Sequence, residues 1–147
     1  MFIGVYKHQL DAKNRFRIPA KLKDELGSSY LVTKGGNGCL YVLPQKVTDK
    51  LMEEFSKINI FNLEEQKPMR MFFSSSAMVE EDVQGRALLP TELKDFAKIN
   101  KDIVIVGVGT KIEIWASEVW EEYSNDANDF DKMCKVLEKM GSKNDWV

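Results

Sequence analysis

Two stretches of this 147-residue chain place an aspartate four positions before an arginine: DAKNRFRIPAKLKDEL at residues 11–26 and DVQGRALLPTELKDFA at residues 82–97. A carboxylate and a guanidinium at that spacing can do two things. They can clamp a tight turn as an ion pair, or the carboxylate can aim the arginine so that its planar fork meets a phosphate or a guanine edge. The two roles are compatible, and the residues alone leave both open. The surroundings of the pairs differ. Lys7, Lys13, Arg15, Arg17, Lys21 and Lys23 face only Asp11 before Asp24 is reached, whereas the second turn has Val83 and Gln84 where the first has Ala12 and Lys13. Residues 5–47 hold eight Lys or Arg against three Asp or Glu, and residues 76–119 hold five against eight. The net charge is only −2, so the chain is not generally basic; its positive charge is gathered in the first third. Such a cluster is either a solvated lysine-rich surface or a face for a polyanion, which would bind with salt-dependent affinity.

Other chemistry is sparse. His8 is the single histidine and lacks the cluster of partners a zinc site needs. Cys39 and Cys134 stand far apart, outside any C-x-x-C, and read as reduced thiols. Glycines 35, 36 and 38 read as a hairpin turn; the lysine and hydroxyl residue of a phosphate-binding loop do not follow them. No G-x-S-x-G occurs, and the paired acids at 80–81 and 121–122 read as solvated faces. No catalytic residue, metal or cofactor is expected, and an enzyme is the least supported class. No apolar run approaches the roughly 18 residues of a membrane span. The opening MFIGVYKHQLD lacks the basic start and apolar stretch of a secretory leader, so a cytoplasmic protein is expected.

The elements that must hold the aspartate–arginine pairs are repeated with them. Aligning Asp11 with Asp82 brings Arg15 onto Arg86, Pro19 onto Pro90 and Leu22-Lys23-Asp24 onto Leu93-Lys94-Asp95. After a one-residue slip, YLVTKGGNGCLYVL at 30–43 matches DIVIVGVGTKIEIW at 102–115. Each copy predicts strand, tight turn, strand, short helix, strand, turn, strand, with first strands at Val5–Leu10 and Ala77–Glu81. The tight turn carries Asn14 in one copy and Gly85 in the other. Both residues tolerate a left-handed backbone, so a positive φ is expected there. Phe16 and Ile18 alternate with Arg15 and Arg17 as a strand with one apolar face. Pro19 fits the first position of a helix whose buried stripe is Leu22 and Leu26, with Gly27 as its C-terminal cap. Further helices are expected at 45–57, at about 63–73 with Pro68 as a break or kink, at 117–123 and around 127–140. Phe130, Met133, Val136, Leu137 and Met140 have helical spacing and predict packing on the core or on a neighbouring subunit. One copy of about 43 residues is near the limit of self-stability, and two together bury more, closing one small barrel and hiding its sheet edges.

The two D-x-x-x-R stretches, the opening M-F-x-G-x-Y-x-H-x-L-D and KDIVIVGVGTKIEIWASEVWEEY together resemble the MraZ family over residues 1–123. The resemblance implies an α+β, mainly β fold: a duplicated AbrB-like swapped-hairpin β-barrel with short helices and a C-terminal helical segment. Its parts would be repeat 1 at 5–47, a helical connector at 48–75, repeat 2 at 76–119 and a C-terminal helical extension at 120–147. It implies a bacterial transcription factor of the division and cell-wall gene cluster. Such a factor binds short direct repeats of double-stranded DNA in its own promoter as a homo-oligomeric, octamer-like ring, in the cytoplasm at the nucleoid. The family's D-x-x-x-R arginine points to Arg15 and, after it, Arg86 as DNA contacts; the basic cluster and its turn add Lys7, Lys13, Asn14 and Arg17 to the expected DNA-binding set, with Asp11 and Asp82 orienting the arginines. Asn14 stands where the family commonly has glycine, and the missing lysine in copy two sets the copies apart. A ring that only scaffolds, and an AbrB-type antitoxin-like regulator, are the alternatives; two full copies and a periodic apolar C-terminus argue against the antitoxin design.

Overall fold

The computed structural model describes residues 1–145, and the last two residues of the expected C-terminal extension lie outside them. The first run of elements is β1 (Phe2–Gln9), β2 (Arg15–Arg17), α1 (Ala20–Leu26), β3 (Ser29–Lys34), β4 (Leu40–Leu43), α2 (Gln45–Ser56) and α3 (Leu63–Ser74). The same order then recurs: β5 (Ser76–Glu80), β6 (Arg86–Leu88), α4 (Thr91–Phe96), β7 (Asp102–Gly109), β8 (Lys111–Ala116), α5 (Ser117–Tyr123) and α6 (Asp129–Asn144). Each copy begins with alternating residues that suit a strand, and each short helix turns a leucine inward, Leu22 in α1 and Leu93 in α4.

The copies exchange strands. β1 pairs with β7, β5 pairs with β3, and β4 joins β8, all antiparallel. The sheet therefore runs β1-β7-β8-β4-β3-β5, an order unchanged when the two copies swap labels. β2 and β6 form a separate two-stranded ribbon on the same pseudo-two-fold axis. The hydrogen-bonded ladder stays open, because β1 and β5 end the six-stranded sheet without meeting. What closes the structure is packing: Phe16 and Ala87, paired across the ribbon and each 1% exposed, point into the cluster that holds Tyr30, Val32, Ile103 and Ile114. The main core thus serves both copies, and neither copy encloses it alone.

Two local expectations change. Pro19 and Pro90 stand one place earlier than the first helical residue, with ψ of 140° and 137°. Their carbonyls accept the first helical bonds, from Leu22 N–H at 2.9 Å and Lys94 N–H at 3.0 Å. Pro68 neither ends nor splits α3, which runs from Leu63 to Ser74 around it. It is the sixth of the helix's twelve residues, where it removes the bond to the Glu64 carbonyl, and the Asn62 side chain caps the start by accepting Glu64 N–H at 3.1 Å. The glycine turn at 35–38 joins β3 to β4 as a hairpin, and Gly27, at φ 81°, caps α1. α6 forms, but Phe130, Met133, Val136, Leu137 and Met140 remain exposed on it. Among the described residues no helix is long and apolar enough to cross a membrane.

Candidate nucleic-acid interface

Each aspartate organises its turn almost atom for atom as the other does. Asp11 Oδ1 accepts the backbone N–H of Lys13 and of Arg15, both at 2.9 Å, and its Oδ2 accepts Arg15 Nε at 2.7 Å. Asp82 Oδ1 accepts the N–H of Gln84 and of Arg86 at 2.9 Å, and its Oδ2 accepts Arg86 Nε at 3.0 Å. Backbone bonds close both loops, from Asp11 N–H to the Arg15 carbonyl at 3.0 Å and from Asp82 N–H to the Arg86 carbonyl at 2.8 Å. The residue before each arginine has the positive φ that its type predicts, 58° at Asn14 and 78° at Gly85. The backbone N–H of Arg15 is the main cause holding the Asp11 carboxyl below its ordinary value. Partial burial opposes it, and the Arg15 side chain adds to it. Asp82 is lowered in the same way, first by the Arg86 N–H.

The strands that leave these turns form the ribbon. Arg15 lies opposite Leu88, Phe16 opposite Ala87, and Arg17 opposite Arg86. Paired residues share a face, so with Phe16 and Ala87 turned inward the outer face consists of Arg15, Arg17, Arg86 and Leu88. Arg15 also comes within 3.7 Å of Asp82 through Nη1, which ties the turns of the two copies together. Arg17 reaches over the second turn, where a side chain on Gly85 would meet its Nη1 at 3.8 Å. Among the described residues neither the Arg17 guanidinium nor the Lys13 ammonium has a carboxylate within 4 Å. Two arginines directly across a strand pair repel, and an anion laid over both relieves that repulsion.

The other basic residues go elsewhere. Lys7 is exposed on the edge strand β1, opposite Val104, in the large sheet and outside the ribbon. Lys23, part of the basic run in sequence, turns inward. It pairs with Glu81, whose side chain is 3% exposed and also accepts the Tyr30 hydroxyl at 2.9 Å. Burial lowers the Lys23 ammonium and raises the Tyr30 phenol. Glu81 is thus an acid from copy two held by two side chains of copy one, where the first copy has the buried Leu10. Leu88 on the outer face went unremarked in the sequence, although its alignment with Arg17 marks it. The contact from Arg15 to Asp82 has no local signal. His8 is half-buried opposite Ile103, and Cys39 is buried, its thiol pushed up to about 12 by burial and by Glu113.

Fold and face together define a duplicated, strand-exchanged module that presents a small arginine ribbon to solvent. A family model described as "MraZ protein, putative antitoxin-like" matches the chain twice, at residues 1–70 and 72–139. The Transcriptional regulator MraZ of Clostridium tetani is 46% identical over 142 residues, covering 96% of this chain and 99% of that protein. The protein of the same name from Carboxydothermus hydrogenoformans is 46% identical over 127 residues, covering 86% and 89%, and that from Syntrophomonas wolfei is 35% identical over 142 residues, covering 96% and 99%. The chain belongs to the MraZ family, a family of transcriptional regulators and not of enzymes.

Proposed function

We propose that this regulator binds double-stranded DNA through the outer face of the β2–β6 ribbon, at short direct repeats in its own promoter, as a homo-oligomeric ring. The observation that carries the reading is the ribbon face itself. Arg15, Arg17 and Arg86 share it, Arg17 and Arg86 directly opposed, with Lys13 in the adjoining turn. A two-stranded ribbon fits the major groove of B-DNA, and arginine forks suit phosphates and guanine edges. Asp11 and Asp82 hold Arg15 and Arg86 in register and leave terminal guanidinium N–H groups to spare. Asn14 acts through its backbone, by keeping the turn open to Lys13. Lys7 is exposed on the neighbouring sheet, outside the ribbon face.

Self-association is supported by two separate apolar surfaces that the described residues leave uncovered. One is the α2–α3 tip with Ile60, Phe61 and Leu63; the other is the groove of Val5, Trp120, Tyr123, Phe130 and Met133. Two different surfaces per protomer are what a head-to-tail ring requires. A ring also supplies several weak ribbons to several repeats, and so gains by effective concentration. The cytoplasmic, nucleoid-associated location and the control of the division and cell-wall cluster follow from the family reading.

Arg15→Ala tests it. The variant is expected to keep its circular dichroism and its oligomeric mass by light scattering, yet to lose binding to labelled promoter DNA by at least tenfold. The wild type should prefer that DNA to a scrambled duplex. Its log affinity should fall with log salt at a slope of about −0.9 per phosphate contact. A flat salt response, or full binding by Arg15→Ala, would overturn the reading.

A further inference from the structure

The ribbon is nearly two-fold symmetric, and on its outer face the departure from symmetry is a single pair of side chains. Arg15 and Arg86 occupy equivalent places, but Arg17 is matched by Leu88. Leu88 is 60% exposed, although every other side chain on that face is an arginine. A lone exposed leucine is ordinary on a protein surface. One that is a quarter of a cationic face, at the position where the sister copy has arginine, is not explained by that. It is not part of the core cluster.

The face therefore has two unlike ends. Beside the first turn stand Lys13, Arg15 and, across the strand pair, Leu88. Beside the second turn stand Gln84, Arg86 and Arg17, with the exposed Val83 in the turn itself and no apolar group on the outer face of the ribbon strands at that end. An exact two-fold reader matches a palindrome, whereas a reader with distinguishable ends can be set in one direction on a direct repeat. Resting on the DNA-binding reading above, we propose that Leu88 is a specificity-determining residue. It makes apolar contact with the 5-methyl group of a thymine next to the base or phosphate met by Arg15, and so fixes which way round the ribbon sits. Of the groups on major-groove edges, the thymine methyl is the one an aliphatic side chain suits. The cationic surround supplies complementary charge to the duplex but no direction.

Deoxyuridine differs from thymidine only in lacking that methyl. Promoter duplexes with thymidine, and with deoxyuridine throughout the repeats, are titrated against wild type, Leu88→Ala and Arg15→Ala by fluorescence anisotropy. The wild type is expected to bind the deoxyuridine duplex about fourfold more weakly for each ribbon engaged, the worth of one methyl group withdrawn from an apolar contact. Leu88→Ala should bind both duplexes alike, near the wild type's affinity for deoxyuridine DNA. Its exposed position leaves folding intact, checked by circular dichroism. Equal wild-type binding to both duplexes, or an undiminished deoxyuridine penalty in Leu88→Ala, would overturn the proposal while leaving DNA binding in place. Failure of the wild type to bind either duplex would bring down the DNA reading and this one with it.

Discussion

At the scale of single residues, an aspartate here does three jobs with two oxygens. Asp11 terminates a loop, pins a backbone and steers a guanidinium. Because its carboxyl is held below the ordinary 3.8 in the fold, the stabilisation it gives is complete above that value. It is lost as pH falls through the lower folded value, and Asp82 behaves alike. Asp11→Asn should therefore melt below wild type at pH 7, and the gap should narrow as pH drops beneath 3.8. Melting temperature followed against pH checks this; a gap independent of pH would mean that the charge is idle. The turn was legible beforehand. Asn14 and Gly85 share one conformational talent and little else, which is why their exchange betrayed a positive φ. That Arg17 faces Arg86 was not legible, since the register of two strands 71 residues apart leaves no mark in either strand alone.

At the scale of elements, local pattern located the strands and helices but not their partners. Alternation and turn residues delimit β1, yet nothing in Phe2–Gln9 says that it will lie on β7. The exchange is enforced by close approach as much as by apolar burial. Gly4 faces Gly107, and a Cβ on Gly107 would fall 2.4 Å from the backbone nitrogen of Ile3. Gly107→Ala must therefore push β1 off its neighbour. A loss of about 1–3 kcal/mol is expected, as for other overpacked sites. Urea denaturation measures the loss, and faster hydrogen exchange in β1 than in β4 locates it. Pro68 shows the opposite failing of local signals. A proline inside a helix removes the bond to one carbonyl and crowds it, yet α3 runs through Pro68 undivided.

At the scale of the whole molecule, the copies are joined by a buried charge as well as by shared strands. Glu81 from copy two is enclosed by Lys23 and Tyr30 of copy one. Removing one partner of such a pair strands the other. Glu81→Ala is expected to cost roughly 2–4 kcal/mol, less than for a wholly buried pair because the Lys23 side chain is 30% exposed. Guanidinium unfolding gives the figure, and Lys23→Met combined with Glu81→Leu should recover most of it. An undisturbed Glu81→Ala protein would show that the pair carries no weight. The run of basic residues disguised this in the sequence. Lys23 looked like one more member of a cationic surface, and only the fold shows that it faces inward.

The packing of Phe16 against Ala87 on the axis has a consequence for the chain's history. On a true two-fold axis both residues would be the same, and two phenylalanines would collide there while two alanines would leave a hole. One bulky and one small residue fill the space, so the halves have become complementary instead of identical. A shortened chain with only the first copy, pairing with itself, would set Phe16 against Phe16 and leave Lys23 facing Leu10. Returning to a single-copy ancestor would need several coordinated changes at once, and the duplication has in this sense become irreversible.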